Sequence, residues 1–272
     1  MTRICFIGGG NMARSLIGGL IGRGTPAHTL VVAEPMAPLR DALAADFGVT
    51  VHADNADAAR GADVILLAVK PQVMATVCTG LAAVRGNDQP LYLSIAAGIG
   101  LAHFARWLGA DAAAVRAMPN TPALVGAGAC GLCANASVTP GQRALASSLL
   151  SAVGEVHWIE QESLMDVVTA VSGSGPAYFF LLMEAMIDSA VAQGLDAGTA
   201  RALVLQTAFG AAVMSRSGDE APAVLRKRVT SPRGTTEAAI EVFESRDMRD
   251  IVAAAIARAT ERGRELAAEF GA

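Results

Sequence analysis

Lysine is nearly absent from this chain: Lys70 and Lys227 are the only two in 272 residues, although arginine is common. Charged residues are 17% of the total and sum to a formal -4, with no long basic run. Nucleic acid and anionic membrane surfaces are therefore not expected as partners, and an anionic ligand would have to be held by local dipoles and isolated cations. Apolar stretches are broken by Gly, Arg or Asp before reaching about 18 residues, which argues against a membrane-spanning helix. His28, His52, His103 and His157 are scattered, with no ligand spacing and no nucleophile nearby. Cys5 and Cys78 sit in apolar patterns. Cys130-Gly-Leu-Cys133 is a lone pair in a segment read as a strand, where positions i and i+3 face opposite sides. No metal site is expected. The first apolar run begins at residue 3, leaving no room for a signal peptide, so the expected compartment is the cytoplasm.

What the chain does have begins at that first run. Arg3-Ile-Cys-Phe-Ile7 leads at once into Gly8-Gly-Gly-Asn-Met-Ala13 and then Arg14-Ser-Leu-Ile-Gly-Gly-Leu20. Strand, glycine turn and helix in that order read as a dinucleotide site. Gly8 makes the tight turn, Gly10 lets backbone approach a pyrophosphate, and Ala13 lets the helix pack closely on the strand. Asn11 and Met12 open the helix. Glu34 ends the next apolar run about 20 residues on, where an acid accepts hydrogen bonds from the adenosine ribose; the plainer reading is a solvated turn acid before Pro35.

Further strands are expected at 49–52, 64–69, Leu91–Ser94, 114–117, Gly128–Ala134 and 155–159, separated mostly by helical segments. Continuous apolar strands alternating with helices predict a parallel sheet covered on both faces, with ligands outside the strands' carboxyl ends. Three loops there are candidates. Lys70-Pro71-Gln72 follows the strongest strand, which ends Ala68-Val69, and places Lys70 where a cation would face a cofactor. Ala97 and Gly98 allow close backbone approach. Met118-Pro-Asn-Thr-Pro122 offers a rigid, polar-tipped turn in which Asn120 could hold a nicotinamide amide.

Beyond about Gln161 no strand signal remains, so the expected domains are 1–160 and 161–272. A helix at 177–193 carries Tyr178, Phe179, Phe180, Leu181, Leu182 and Met183 around its whole axis. Such a helix must be buried, and about 110 residues of helices offer it limited interior. A subunit interface is expected. Val229-Thr-Ser-Pro-Arg-Gly-Thr-Thr236 then packs four hydroxyls and a glycine into the entry of another helix. Hydroxyls and free N–H groups at a helix start form a cradle for a small anion such as a carboxylate; the plainer reading is an ordinary capped turn.

Taken together, Phe6-Ile-Gly-Gly-Gly-Asn-Met-Ala13, Ala68-Val-Lys-Pro-Gln72, Met118-Pro-Asn-Thr-Pro122, Val171-Ser-Gly-Ser-Gly-Pro-Ala-Tyr178 and the 229–236 segment resemble the pyrroline-5-carboxylate reductase family along essentially the whole chain. The resemblance implies a Rossmann domain, a helical domain interlocking two subunits (a homodimer or a ring of dimers), and hydride transfer from a reduced nicotinamide to the imine carbon of 1-pyrroline-5-carboxylate, giving L-proline. It places the substrate carboxylate at Ser231, Gly234, Thr235 and Thr236, with Thr236 also beside the imine nitrogen. Asn55, Lys70, Ala97 and Asn120 fall where that family contacts its cofactor. One departure stands out: Arg233 occupies a position where the family usually has glycine, and it would strain the loop if φ is positive there. On cofactor choice, Glu34 favours NADH, whereas the resemblance favours NADPH, with Asn55 or Arg40 available to a 2′-phosphate if Glu34 points away. The expectation is NADPH modestly ahead, with NADH also accepted. Two other readings share the two-domain plan. A beta-hydroxyacid dehydrogenase would need a proton-transfer lysine, and the helical part has only Lys227. A non-catalytic nucleotide-binding protein has no use for the 231–236 cradle.

Overall fold

The structure, a computed structural model, describes residues 1–84 and 89–270. Eight strands form one sheet in the order β3-β2-β1-β4-β5-β6-β7-β8. They are β1 (Ile4–Ile7), β2 (Leu30–Ala33), β3 (Thr50–His52), β4 (Val64–Leu67), β5 (Leu91–Ser94), β6 (Ala114–Met118), β7 (Gly128–Ala134) and β8 (Gly154–Trp158). β1 and β4, at the middle of the sheet, are apolar at every position because both faces are covered. Ile4, Phe6, Val64 and Leu66 join the core on one side, while Cys5, Ile7, Ile65 and Leu67 join the core on the other. Helices α1 (Asn11–Gly22), α2 (Ala37–Phe47), α3 (Asn55–Ala59), α4 (Pro71–Val84), α5 (Leu101–Leu108) and α6 (Pro140–Leu150) alternate with them.

The sheet is mostly parallel, as expected, with one exception. β7 runs antiparallel to β6, and β8 then runs parallel to β7. The physical reason lies in the connections. A parallel crossover takes a dozen or more residues, and only residues 119–127 join β6 to β7, so the chain doubles back. Between β7 and β8 lies α6, long enough for a crossover. That helix opens with a reciprocal cap in which Gln142 N–H donates to Thr139 Oγ1 (3.2 Å) and Thr139 N–H to Gln142 Oε1 (3.0 Å).

After β8 the chain is helical: α7 (Met165–Val168), a π-turn (Thr169–Gly173), α8 (Gly175–Ala192), α9 (Ala197–Arg216), α10 (Pro222–Arg228), α11 (Thr235–Ser245) and α12 (Met248–Phe270). The compact units are Met1–Ser174 with the chain from Ala257 onward, and Gly175–Ile256. The sheet unit is thus wider than the expected 1–160, for reasons of packing. Arg116 on β6 pairs with Glu162 (2.8 Å) and Asp166 (4.0 Å). Gly263 of α12 lies so close to Asp166 that a Cβ there would stand 3.3 Å from the Asp166 Cβ. The outer face of α12 is laced by Arg258 and Arg262 pairing with Glu261, Glu265 and Glu269.

The stretch Glu162–Ala192 is long and apolar enough, by length and composition, to cross a membrane. It exceeds the interrupted runs seen in the sequence because the helix continues through Gly173 and Gly175. Its exposed residues include Phe179, Phe180 and Leu181, each more than 60% accessible on a single chain.

Candidate functional site

The strand order 3-2-1-4-5-6 puts the topological switch between β1 and β4, and the candidate loops follow β1, β2, β4, β5 and β6 at their carboxyl ends. Gly8 has φ +99°, and a Cβ there would lie 2.7 Å from the Ala68 carbonyl oxygen. Only glycine suits both conditions. Residue 68 therefore matters through its backbone, which walls the glycine turn. Gly10 is exposed, and a Cβ on it would meet nothing within 4 Å. It caps α1 without any side-chain partner, so the first N–H groups of that helix, from Asn11 and Met12 onward, face open space suited to a pyrophosphate. Ala13 is fully buried, as close helix–strand packing requires. These features fit a dinucleotide.

Glu34 is 7% exposed, which rules out the solvated turn acid. Its carboxylate accepts from Gly9 N–H (3.0 Å) through one oxygen and from Met36 N–H (2.9 Å) through the other. It thereby ties the glycine turn to the loop after β2. Arg40 donates to the carbonyls of Glu34 (2.9 Å) and Pro35 (3.2 Å). Asn55 is half-buried at the start of α3, a helix missed in the sequence. The available signal was Asp54, whose carboxylate accepts from the N–H groups of Ala56 (2.8 Å) and Asp57 (3.0 Å).

Lys70 is exposed immediately before Pro71, the first residue of α4, and Val69 is half-buried beside it. In the loop after β5, Gly98 has φ +75°, and a Cβ on it would stand 3.2 Å from the Phe270 ring. Three side chains not singled out as functional hold this loop. Glu162 Oε1 accepts from Leu101 N–H (2.7 Å) and from Arg116 (2.8 Å). His103 Nδ1 accepts from Gly100 N–H (2.9 Å). Burial, with Arg106 adding to it, lowers the His103 pKa, which keeps the ring neutral as an acceptor must be. The Gly100-x-x-His103 spacing, from helix cap to third residue, was its sequence signal. Nothing local announced Glu162.

Asn120 is 9% exposed and turned inward. Its Nδ2 donates to the Ser172 carbonyl (3.0 Å), and its Oδ1 accepts from Ala129 N–H (2.9 Å).

In the helical unit, residues 229–234 lead into α11 with Gly234 as its N-cap. Gly234 N–H donates to the Ser231 carbonyl (3.0 Å), and a Cβ on Gly234 would stand 2.9 Å from that oxygen. Arg233 has φ +60°, so the departure from glycine carries the strain anticipated for it. Glu237 reaches back to accept from Arg233 N–H (2.6 Å). Ser231, Thr235 and Thr236 are exposed around the first turn of the helix. Exposed hydroxyls of Ser231, Thr235 and Thr236 thus lie at the entry of a helix whose first N–H groups lack a side-chain cap, a combination suited to a small anion.

Burial pushes the thiols of Cys5, Cys78 and Cys130 up to about 12, so none is a thiolate at neutral pH. Among the described residues, no three His, Cys, Asp or Glu side chains gather as a metal set.

Residues 162–266 match a family model described as pyrroline-5-carboxylate reductase dimerisation, and residues 3–98 match one described as NADP oxidoreductase coenzyme F420-dependent. A pyrroline-5-carboxylate reductase of Pseudomonas aeruginosa is 51% identical over 269 residues, covering 99% of this chain and 98% of the relative. One from Vibrio alginolyticus is 45% identical over 265 residues, 97% of each chain. Among solved structures, the pyrroline-5-carboxylate reductase of Coxiella burnetii superposes with a TM-score of 0.94 at 42% identity, over 97% of this chain and 98% of that one. A pyrroline carboxylate reductase of Plasmodium falciparum with NADP bound gives 0.86 at 28% identity, over 98% of each.

Proposed function

The chain belongs to the pyrroline-5-carboxylate reductase family, and from that premise we propose that the 231–236 turn holds the substrate carboxylate while the loops after β1, β4, β5 and β6 hold a nicotinamide dinucleotide. The reaction is NAD(P)H-dependent reduction of 1-pyrroline-5-carboxylate to L-proline. The observation that carries the assignment of residues is the cradle at the head of α11, in a chain whose sheet carries an open glycine turn.

The chemistry asks little of acid–base groups. A cyclic imine is partly protonated near neutral pH, and its iminium accepts hydride at carbon as the C=N π pair settles on nitrogen. When bound, the reduced dinucleotide supplies that hydride. The chain's part is to bind and orient. Thr235 and Thr236 N–H groups and the Ser231 and Thr235 hydroxyls receive the carboxylate, with Gly234 keeping the approach free of a side chain. The Thr236 hydroxyl stands by the imine nitrogen, donating to the neutral form or accepting from the iminium N–H. Gly8, Gly10, Asn11 and Met12 receive the pyrophosphate, Glu34 and Asn55 the adenosine end, and Ala68, Val69, Lys70, Pro71, Ala97, Gly98 and Asn120 shape the nicotinamide end. Holding reactants in attack geometry contributes up to about 7–11 kcal/mol in favourable cases, so no catalytic His or carboxylate pair is needed.

The finer reading is that both dinucleotides serve, with NADPH leading by less than tenfold. The family likeness favours NADPH, and the fixed Glu34 carboxylate opposes its 2′-phosphate. We place the enzyme in the cytoplasm as a homodimer or ring of dimers. The test is NAD(P)H oxidation with a panel of acids. Turnover is expected only with the cyclic imino acid; comparable turnover with a 3-hydroxy or 2-keto acid and none with pyrroline carboxylate overturns the reading.

A further inference from the structure

The side chain of Asn120 is spent inside the protein, and what it holds gives it a different part in the reaction from a cofactor contact. Its amide spans two elements. Toward β7 it accepts from Ala129 N–H, and toward the π-turn it donates to the Ser172 carbonyl. That carbonyl needs an outside donor. In a continuing α-helix its partner is the N–H four residues on, and residue 176 is proline, which has none. A fully buried carbonyl left unpaired costs about 1–3 kcal/mol; Ser172 is half-buried, so the bond from Asn120 satisfies a carbonyl that the helix itself does not. The two segments also touch through side-chain space: a Cβ on Gly173 would stand 2.6 Å from Met118 Cε, two residues before Asn120. The loop after β6 is thus tied to the Ser172–Gly173 turn by one hydrogen bond and by the close packing of the Met118 methyl on Gly173.

We propose that Asn120 is a positioning residue: it latches the loop after β6 to the π-turn, and so fixes the nicotinamide end of the site without itself holding the cofactor. The inference rests on the reductase reading. Dinucleotide affinity comes largely from the pyrophosphate and adenosine end, at the loops after β1 and β2. Hydride transfer depends on the other end, where a shift of about 1 Å costs up to a hundredfold in rate. Loosening the latch therefore separates binding from turnover.

The experiment compares wild type with Asn120→Ala, Asn120→Asp and Asn120→Ala/Pro176→Ala. The aspartate variant keeps the acceptor toward Ala129 and loses the donor toward Ser172. Three readouts are taken: NADPH Kd by fluorescence titration, kcat and KM for pyrroline-5-carboxylate, and melting temperature without cofactor. Both single variants are expected to lose tenfold or more in kcat while NADPH Kd stays within threefold. Pro176→Ala restores an N–H to the turn and is expected to recover part of the lost kcat and melting temperature in the alanine background. If the alanine variant does not fold, the aspartate variant decides. A tenfold weaker NADPH Kd with kcat preserved overturns the latch in favour of direct cofactor contact, and unchanged values throughout overturn it outright. Wild type that fails to turn over the imino acid sinks the reductase reading instead, leaving the melting-temperature loss and its recovery to report on the latch alone.

Discussion

Three residues decide how the chemistry is distributed, and each makes a separate prediction. Thr236 is the second residue of α11, exposed beside the carboxylate cradle. In the role proposed for it, removing its hydroxyl would take away a hydrogen bond to the reacting nitrogen, about 1–3 kcal/mol when charge is involved, or roughly tenfold to a hundredfold in rate. Thr236→Ala is expected to lower kcat by that factor with NADPH Kd near wild type; an unchanged kcat removes Thr236 from its role. Arg233 sits at φ +60°, which costs a non-glycine residue about 1–2 kcal/mol. Glycine relieves the strain but gains freedom when unfolded, worth roughly 0.5–1 kcal/mol against it. Arg233→Gly should therefore stabilise by about 0–1.5 kcal/mol in urea unfolding. A rise in KM for the imino acid would show that the guanidinium attracts the substrate carboxylate. Glu34 cannot turn aside from a 2′-phosphate without giving up the N–H groups of Gly9 and Met36. Glu34→Ser is expected to raise kcat/KM with NADPH and lower it with NADH, measured side by side. An NADH preference above tenfold in wild type, lost in the serine variant, would invert the ranking proposed above. Glu34 was legible as the acid ending the second apolar run, and Thr236 and Arg233 through the family resemblance; the hydrogen bond from Gly9 N–H that pins Glu34 was not, since it joins two loops 25 residues apart along the chain.

Elements were legible wherever one strand, helix or cap carried its own signal. The glycine turn and the apolar strands are of this kind. The reversal of β7 was written only in a length, the nine residues between β6 and β7, which periodicity does not register. The π-turn at Thr169–Gly173 packs against Met118 and is bonded by Asn120, some fifty residues earlier in the chain, contacts that no window of sequence around it contains. The loop between β5 and α5 shows the same limit, being held by Glu162 from sixty residues away and by His103 from within its own helix. It yields a pH prediction. Burial lowers the His103 pKa below its ordinary value near 6.5, so below pH 6.5 the unfolded chain binds a proton that the folded chain resists. Stability supplied by the neutral ring is present above that pH and is lost as pH falls through the depressed folded value. Protonation also removes the acceptor for Gly100 N–H. Melting temperature should decline below pH 6.5, and the slope should be shallower in His103→Gln, whose carbonyl can accept without titrating. Equal slopes in the two proteins would exclude His103 as the source.

At the scale of the whole molecule the governing fact is apolar surface that one chain does not cover. In α8 only Gly175 is buried, and Phe179, Phe180 and Leu181 are 65%, 62% and 67% exposed. Phe209 on α9 and Ile251 on α12 are 65% and 63% exposed. A groove of about 720 Å³ in the same unit is lined by Leu182, Met186, Ile240, Phe243, Met248 and Val252. At its rim Arg226 and Arg249 both pair with Glu244. Soluble monomers rarely expose contiguous apolar patches beyond a few hundred Å², and the matched dimerisation family names the class of partner, a second copy. Association of this kind is obligate when each protomer leaves its core half-built. The protein is therefore expected to run as a dimer or larger species in light scattering at assay concentration, with melting temperature rising as protein concentration rises. Replacing Phe180 by Glu puts a charge on the uncovered face, where desolvation opposes association. The variant should dissociate, lose turnover and keep the far-UV signature of its sheet unit. A stable monomer that turns over at the wild-type rate, in either protein, would show that the exposed face serves something other than assembly of the active enzyme.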